Sequence, residues 1–264
     1  MTAPLSTANS LVQFTSMADA LDREKQLFEH IIYDGLDSAA FMWSASQCLV
    51  VPLKLSHHPD FESAAAISAE AGWPVHVRQT GGGVTPQGPG IINVSLAMAN
   101  TSETRLSITN GYQLLCNPMI AELKQLDISA YCASVPEAFC DGDYNIVVDG
   151  RKMVGTAQRH ARTKSRTKDK AQKMRQALFA HALILYETDL QEITDAVNRL
   201  YQLMGLEQQF ETHAHCDLSS VCSMQINAPS AEAFSHKLLQ RYHGELAKLR
   251  DSEDFDEYQK TAYF

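Results

Sequence analysis

The sequence predicts an α+β fold in which helices flank a mixed, mostly antiparallel β-sheet. Predicted helices and strands follow one another without the regular alternation that a parallel sheet requires. An Asp-Gly pair at 149–150 lies between two β-prone runs, and it indicates a tight hairpin because Gly tolerates the positive φ of a two-residue turn. Of the 264 residues, 45% are apolar and 20% are charged. This composition is typical of a globular protein with a buried core.

The first part of the chain combines one strongly amphipathic segment with several short apolar runs. Apolar residues at helical spacing predict the first helix, and Gly72 and Pro74 are expected to end the second. In order, the predicted elements are a helix at 18–33, strands at 41–43 and 48–51 around a Ser-Ala-Ser-Gln turn, a helix at 60–70, and strands at 75–78 and 91–98.

The second part of the chain is predicted to contain the Asp-Gly hairpin between longer helices. Its helices have apolar residues on one face, and its strands are short apolar runs. In order, the predicted elements are a helix at 106–126, a strand at 128–133, hairpin strands at 145–148 and 152–155, a strand at 177–186, and helices at 190–204 and 231–249.

Composition along the chain predicts one domain between two short ends. Residues 1–16 are rich in Ser, Thr and Ala and are expected to be flexible, residues 17–250 form the single domain, and residues 251–264 form an acidic tail. The formal net charge of −9 argues against a general nucleic-acid binder. The six cysteines lack CxxC spacing and no export signal is recognisable, so we expect a cytoplasmic protein with free thiols and no membrane span.

Residues 81–90 are the most turn-rich segment of the chain. Three consecutive glycines, Gly81 to Gly83, follow a predicted strand that ends at Arg78, and such a run lets a ligand approach the backbone. The segment matches neither the GxGxxG dinucleotide pattern nor the GxxxxGK[ST] phosphate loop. Its residues are compatible with a plain surface turn or with a ligand-binding loop.

A cysteine and a lysine flank the predicted hairpin and suggest covalent catalysis. Cys140 lies upstream of the hairpin, and a two-residue turn would place Lys152 opposite Val147. An extended chain from Cys140 to Val147 would span about 23 Å. For the two side chains to act together, the chain must therefore fold back, and we expect Gly142 to be the place where it turns.

These segments resemble the biotin/lipoate protein ligase and octanoyltransferase superfamily. The first similar motif is Arg78 followed by Gly81–Gly83 and then an Asn- and Ser-containing strand at 93–96. The second is Asp-Gly-Arg-Lys-Met-Val-Gly-Thr-Ala-Gln-Arg at 149–159. Together with Cys140, they most resemble the branch that moves octanoyl from the glycine-cleavage H protein to other lipoyl domains through a cysteine thioester.

The resemblance implies a catalytic domain related to class II aminoacyl-tRNA synthetases, and it implies a role for each motif residue. Cys140 would be the nucleophile, and Lys152 would contact the acyl carbonyl or move protons. The expected substrate-binding residues are Arg78, Gly81, Gly82, Gly83, Val84, Asn93, Tyr144, Gly155, Thr156 and Ala157.

The implied reaction is transfer of an octanoyl or lipoyl group to the lysine of a lipoyl domain. Its partners would be the H protein and the lipoyl domains of 2-oxoacid dehydrogenases, with no nucleic acid or membrane. No cofactor is expected in this interpretation. One alternative is an ATP- and Mg²⁺-dependent lipoate–protein ligase in which Lys152 contacts an acyl-adenylate. Another is a non-catalytic protein that binds lipoyl domains or small acids.

Three further features carry weaker signals. Residues 151–175 contain ten of the 22 basic residues and one acid, which is typical of a solvated loop or of a docking surface for acidic lipoyl domains. His213, His215 and Cys216 look like metal ligands, but no second cluster is visible and we predict no metal site. His181 is a weak candidate for the pocket, and His76 is more typical of core or surface.

Overall fold

The computed structural model of the chain describes residues 10–100, 105–164, 174–223 and 228–252, together with residues 255, 257 and 258. The strands in these ranges are β1 Val12–Phe14, β2 Ser38–Ala45, β3 Cys48–Pro52, β4 Val75–Arg78, β5 Thr85–Gln87, β6 Ile91–Ala99, β7 Tyr131–Ala133, β8 Asn145–Val148, β9 Arg151–Arg162 and β10 Gln176–Leu185. The α-helices are α1 Met17–Tyr33, α2 Phe61–Glu70, α3 Ile108–Lys124, α4 Leu190–Leu203, α5 Leu218–Ser223 and α6 Ala231–Asp251.

The strands form two sheets. Seven strands lie in the order β1-β2-β6-β10-β9-β8-β7, and each neighbouring pair is antiparallel except β1 and β2, which are parallel. The second sheet has the order β4-β3-β5, with β3 parallel to β4 and antiparallel to β5. The predicted α+β class with a mixed, mostly antiparallel sheet is confirmed.

The large sheet buries both of its faces because its central strands alternate apolar residues between them. Met42, Val94 and Leu96 pack with α3 and α6 in one core. Trp43, Ala97 and Phe179 pack with α1 in another. Among the helices of the described residues, none combines the length and apolar character that crossing a bilayer requires.

The small sheet packs against α2 and α4 and forms its own core. Leu49 and Val51 of β3 contact Phe61, Val197 and neighbouring apolar residues there. The β4 strand ends at Arg78, shortly before the glycines at 81–83. Here the small sheet lies beside the face of the large sheet that α1 covers.

The Asp-Gly hairpin forms as predicted. Asp149 and Gly150 have φ angles of 48° and 74°, the two positive values that a type I′ turn requires. Val147 pairs with Lys152, but the next pair toward the sheet is Ile146 with Val154. The extra residue in β9 is a β-bulge directly beside Lys152, and such bulges change the direction of nearby side chains.

Some predicted elements differ in extent or partner. The strands on either side of the Ser-Ala-Ser-Gln turn belong to different sheets, because β2 pairs with β6 and β3 pairs with β4 and β5. The turn-rich glycine segment contains β5. The basic stretch at 151–175 begins with β9, in which Arg162 is still paired with Gln176, and residues 165–173 lie outside the described residues.

The two chain ends contribute ordered residues to the fold. Residues 12–14, in the segment expected to be flexible, form β1 beside β2. Phe255 and Tyr258, in the expected acidic tail, are buried in the core of α3 and α6. Residues 1–9 and 259–264 lie outside the described residues, and the domain boundaries stay predictions.

Candidate active site

The chain between β7 and β8 folds back so that Cys140 meets Lys152. The Lys152 ammonium donates hydrogen bonds to the carbonyl oxygens of Phe139 at 2.6 Å and of Cys140 at 2.7 Å. The left-handed residue of this turn is Cys140, with φ 50°. A non-glycine residue in that region costs about 1–2 kcal/mol, so surrounding contacts must hold it there.

Asp141 organises the return of the chain toward β8. One of its carboxylate oxygens accepts hydrogen bonds from the Val135 amide and from the Asn145 side chain, both at 2.7 Å. Gly142, where we predicted the turn, does not have positive φ; its carbonyl accepts from the Asn145 amide at 3.2 Å in the next turn. The prediction that the chain folds back is right; Gly142 begins the second turn of this segment, whereas the left-handed residue of the first turn is Cys140.

Lys152 is fully buried, with 1% of its surface exposed. Burial lowers its pKa to about 8, and the charge of Arg78 acts in the same direction, whereas Cys140 and Asp141 oppose the change. Gly155 makes room for it, because a Cβ there would lie 3.2 Å from Lys152 Cε and 3.3 Å from Nζ. The lysine can therefore change its protonation state near neutral pH.

The Cys140 sulfur faces two donors from the glycine segment. The Gly83 amide donates to Sγ at 3.1 Å, and Arg78 Nη2 lies 3.8 Å from it. Hydrogen bonds from an amide and a guanidinium stabilise negative charge on an acceptor. The arrangement therefore suits a thiolate at this position.

Arg78 also determines the shape of the glycine segment. Its Nη2 donates to the carbonyl oxygens of Gly81 at 3.1 Å and of Gly83 at 2.7 Å, while its Nη1 donates to Val50 O and Thr85 Oγ1. Among the described residues, no carboxylate pairs with this buried guanidinium. Its charge is therefore available to the sulfur.

Glycine is required where the loop passes the cysteine. Gly82 has φ 104°, and a Cβ on it would lie 2.8 Å from Cys140 Sγ and 3.0 Å from Arg78 Nη2. A Cβ on Gly83 would lie 3.2 Å from Cys140 Cα. At Gly81 a Cβ would meet nothing within 4 Å. The loop thus needs glycine at Gly82, where the positive φ and the close approach coincide, and it leaves little room for a Cβ at Gly83.

A narrow, largely apolar pocket extends from Cys140 and Lys152 toward α1. Its cavity volume is about 50 Å³, and the empty space is about 520 Å³ when the open mouth is counted. Seven of the residues predicted from sequence line it: Arg78, Asn93, Cys140, Lys152, Gly155, Thr156 and Ala157. A thiol beside an apolar pocket is suited to receive an acyl chain.

The remaining predicted residues lie around the pocket. The three glycines contact Arg78 or Cys140, as described above. Val84 is buried in the core of the small sheet, and its backbone hydrogen-bonds to Tyr201. Tyr144 stacks on Tyr112 with ring centroids 4.2 Å apart, and its carbonyl accepts from Thr156 Oγ1 at 2.8 Å. Val84 and Tyr144 therefore support the site from outside its lining.

Comparison with known proteins shows which family this chain belongs to. The lipoyl protein ligase A/B catalytic domain family matches residues 16–242. The chain belongs to this family. An uncharacterised protein of Cupriavidus necator is 33% identical over 192 residues, which cover 70% of this chain and 72% of that protein.

Other relatives of this chain are named for an activity. An octanoyl-[GcvH]:protein N-octanoyltransferase of Kyrpidia tusciae is 33% identical over 147 residues, or 56% of this chain and 49% of that protein. The chain thus spans about half the length of that transferase. A lipoate-protein ligase A solved with ATP superposes with a TM-score of 0.64 at 15% identity, covering 90% of this chain and 84% of that one. At this identity the likeness concerns the fold alone.

At the α1 end, a hydrogen-bonded set of polar side chains that the sequence did not reveal borders the pocket, and Glu24, Trp43 and His181 of this set line it. Trp43 Nε1 donates to Ser95 Oγ at 2.9 Å, and Ser95 donates to the Glu24 carboxylate at 2.6 Å. His181 Nδ1 lies 3.2 Å from the same carboxylate, and its Nε2 lies 3.2 Å from Thr80 Oγ1. His181, a weak candidate from the sequence, therefore lies in the pocket lining.

Glu24 could have been found from its spacing. It is buried on the same face of α1 as Ala20, Leu27, Phe28 and Ile31. A carboxylate at an apolar position of an amphipathic helix indicates a buried partner. The partners themselves come from distant strands and leave no local signal.

The residues considered as metal ligands have other partners. His213 is exposed and lies 3.3 Å from a Glu137 carboxylate oxygen. His215 is buried, and the amide of Cys216 donates to Lys152 O at 3.0 Å. His76, which was not a ligand candidate and was expected in the core or at the surface, is half-buried, and burial lowers its pKa. Within the described ranges, no three His, Cys, Asp or Glu side chains converge as metal ligands.

Proposed function

We propose that this chain is an acyltransferase that delivers an octanoyl or lipoyl group to the lysine of a lipoyl domain through a thioester on Cys140. The observation that carries the proposal is the position of the Cys140 sulfur. The sulfur accepts a hydrogen bond from the Gly83 amide and faces Arg78, and it lies at the mouth of an apolar pocket that Lys152 also lines. The transferase relatives support this reaction class by name.

In the first step the Cys140 thiolate attacks the carbonyl carbon of the donor. A carbon–sulfur bond forms, and the bond between the acyl carbon and its carrier breaks. When the carrier is an H-protein lysine, the broken bond is an amide C–N bond and its nitrogen takes up a proton. Lys152 donates two hydrogen bonds to main-chain carbonyls, which leaves the third N–H of its ammonium for the acyl oxygen or the leaving nitrogen.

In the second step the acceptor lysine amine attacks the thioester carbon. A C–N bond forms, the C–S bond breaks, and the released thiolate again accepts the hydrogen bond of the Gly83 amide. The acceptor nitrogen loses one proton, which Lys152 can accept when it is neutral, because its lowered pKa of about 8 makes both of its forms accessible. No cofactor is required for either step.

The ATP-dependent ligase is the alternative within the same family. Its acyl-adenylate would require phosphate-binding donors near Lys152. The Gly83 amide and the Arg78 guanidinium are instead directed at the Cys140 sulfur and at loop carbonyls. These contacts favour the thioester route. The proposed partners are the H protein and apo lipoyl domains, and the proposed location is the cytoplasm.

Transfer without ATP tests the proposal. The protein is incubated with octanoyl-loaded H protein and an apo lipoyl domain, and mass spectrometry follows acyl transfer and a hydroxylamine-sensitive adduct on Cys140. Cys140→Ala should abolish both, whereas Cys132→Ala, at another partly exposed free cysteine, should retain both. Transfer that survives Cys140→Ala overturns the thioester route. Activity that requires free acid, ATP and Mg²⁺ supports the ligase, and binding without either activity supports a non-catalytic role.

A further inference from the structure

His215 contacts the turn that carries the proposed nucleophile, although neither sequence motif contains it. The residue is 1% exposed, and its backbone forms a parallel bridge with Lys152. The next amide, that of Cys216, donates to the Lys152 carbonyl at 3.0 Å. The segment after the short helix at Thr212–Ala214 is thereby joined to the strand of the proposed catalytic lysine.

The His215 ring is held in one tautomer by its two hydrogen bonds. Its Nε2 lies 3.2 Å from the Phe139 amide, which can only donate, so this nitrogen must carry a lone pair. Its Nδ1 lies 3.0 Å from the Glu211 carbonyl, which can only accept, so the proton is on Nδ1. Burial and the positive charge of Lys152 lower the pKa of His215 to about 4, in keeping with a neutral ring.

Phe139 is consequently held on both sides of its backbone. Its amide is bound by His215, and its carbonyl is bound by Lys152 at 2.6 Å. Its ring stacks on the His215 ring with centroids 4.1 Å apart and an interplanar angle of 21°. The next residue is Cys140, whose left-handed backbone directs Sγ toward the Gly83 amide.

We infer that His215 is a positioning residue for acyl transfer. It accepts a hydrogen bond from the Phe139 amide and so holds the strained Cys140 turn between Lys152 and the glycine segment. The inference rests on the proposed function for its effect on transfer. Its effect on the cysteine itself can be measured separately. His215 touches no reacting atom in this role and acts through the backbone of Phe139.

Two substitutions separate the hydrogen bond from the ring stacking. His215→Phe keeps a ring that can stack on Phe139 but has no acceptor, and His215→Gln keeps an acceptor near the position of Nε2. His213→Phe is the matched control, because His213 lies two residues away with 73% of its side chain exposed. Each variant is assayed for octanoyl transfer from loaded H protein, for alkylation of Cys140 by iodoacetamide, and for thermal unfolding.

We expect His215→Phe to lower the kcat of transfer about tenfold or more while the KM for the lipoyl domain changes less than about twofold. The rate of Cys140 alkylation should fall with it, and His215→Gln should recover most of both rates. His213→Phe should match the parent. Equal losses in the Phe and Gln variants, an unchanged alkylation rate, or losses that only follow the melting temperature would overturn the inference. If the parent transfers no octanoyl group, the alkylation rates still decide it.

The tautomer provides a test that needs no substitution. In ¹⁵N-labelled parent protein, NMR should report His215 as neutral, with a proton on Nδ1 and none on Nε2, from about pH 5 to about pH 9. A proton on Nε2, or an imidazolium in that range, would contradict the hydrogen bond from Phe139 and overturn the inference.

Discussion

The two ends of the pocket are built from different kinds of groups. At the Cys140 end, main-chain groups make most of the contacts: the Gly83 amide binds the sulfur, and the carbonyls of Phe139 and Cys140 bind Lys152. At the α1 end, side chains bind side chains, with Glu24 between Ser95 and His181. Main-chain contacts depend on backbone conformation, whereas side-chain contacts depend on residue identity. The proposed reacting groups lie at the first end, so substitutions there should affect catalysis. Substitutions at the second end should affect acyl binding.

Removing the buried lysine should have the largest effect. Lys152→Met keeps the length of the side chain but leaves two buried carbonyls without their donor, and it removes the proposed proton partner. We expect octanoyl transfer to fall by about 10²- to 10⁴-fold. The measurement is single-turnover transfer from loaded H protein.

Lys237→Met is the control, because Lys237 is exposed on α6, on the opposite face of the large sheet from α1. It should transfer at the parent rate. If Lys152→Met stays within about threefold of the parent, the proposed role of Lys152 is wrong and the cysteine acts without it.

The glycine segment offers a matched pair of substitutions. Gly82→Ala places a Cβ 2.8 Å from Cys140 Sγ at a φ of 104°, so the loop must move away from the sulfur. We expect transfer to fall by about 10- to 100-fold, the scale of a small displacement of reacting groups. Gly81→Ala meets nothing within 4 Å and should stay near the parent rate. Equal rates in the two variants would show that the close approach of Gly82 has no catalytic consequence.

The pH dependence of transfer should report the state of Lys152. Its pKa is lowered from 10.5 to about 8, so the ammonium loses its proton as the pH rises through that value. If the ammonium binds the acyl oxygen in the slow step, kcat should fall above about pH 8, by about tenfold per pH unit. Stopped-flow transfer between pH 6 and pH 10 measures this limb. A rate that is constant up to pH 10 would mean that the charged form is not needed.

The smallest effect is expected at the α1 end. Glu24→Gln keeps the shape of the side chain but weakens its hydrogen bonds to Ser95 and His181. We expect the KM for the octanoyl donor to rise by about threefold, with Cys140 alkylation unchanged. Asp22→Asn, on the exposed side of the same helix, is the control. A loss of alkylation in Glu24→Gln would mean that the two ends of the pocket are coupled.

Much of the fold was predictable because its signals are local. Helical spacing identified α1, and Asp149-Gly150 identified the hairpin turn. Local signals failed where the partner decides the element. The turn after β2 resembles a hairpin turn in sequence, yet its two strands enter different sheets. The β5 strand exists because β3 offers it an edge, and its own residues include a proline.

The candidate site was predictable only in part for the same reason. Arg78, the glycines and Lys152 lie in two short motifs and Cys140 lies just upstream of the second, so their residue types and spacing indicated them. Their contacts were not predictable, and Lys152 binds carbonyls rather than the thiol. Val84 and Tyr144, which the resemblance also implied as binding residues, lie outside the pocket lining.

The sequence by itself determined the long helices, the Asp-Gly hairpin and the presence of a cysteine and a lysine near its turn, because turn chemistry and periodicity act within a few residues. Only the tertiary structure decided where Cys140 bears its strain and which groups hold it. Glu24 meets His181 across 157 residues of chain, and His215 meets Phe139 across 76. Hydrogen bonds over such separations form when packing brings the elements together, and no local pattern encodes them.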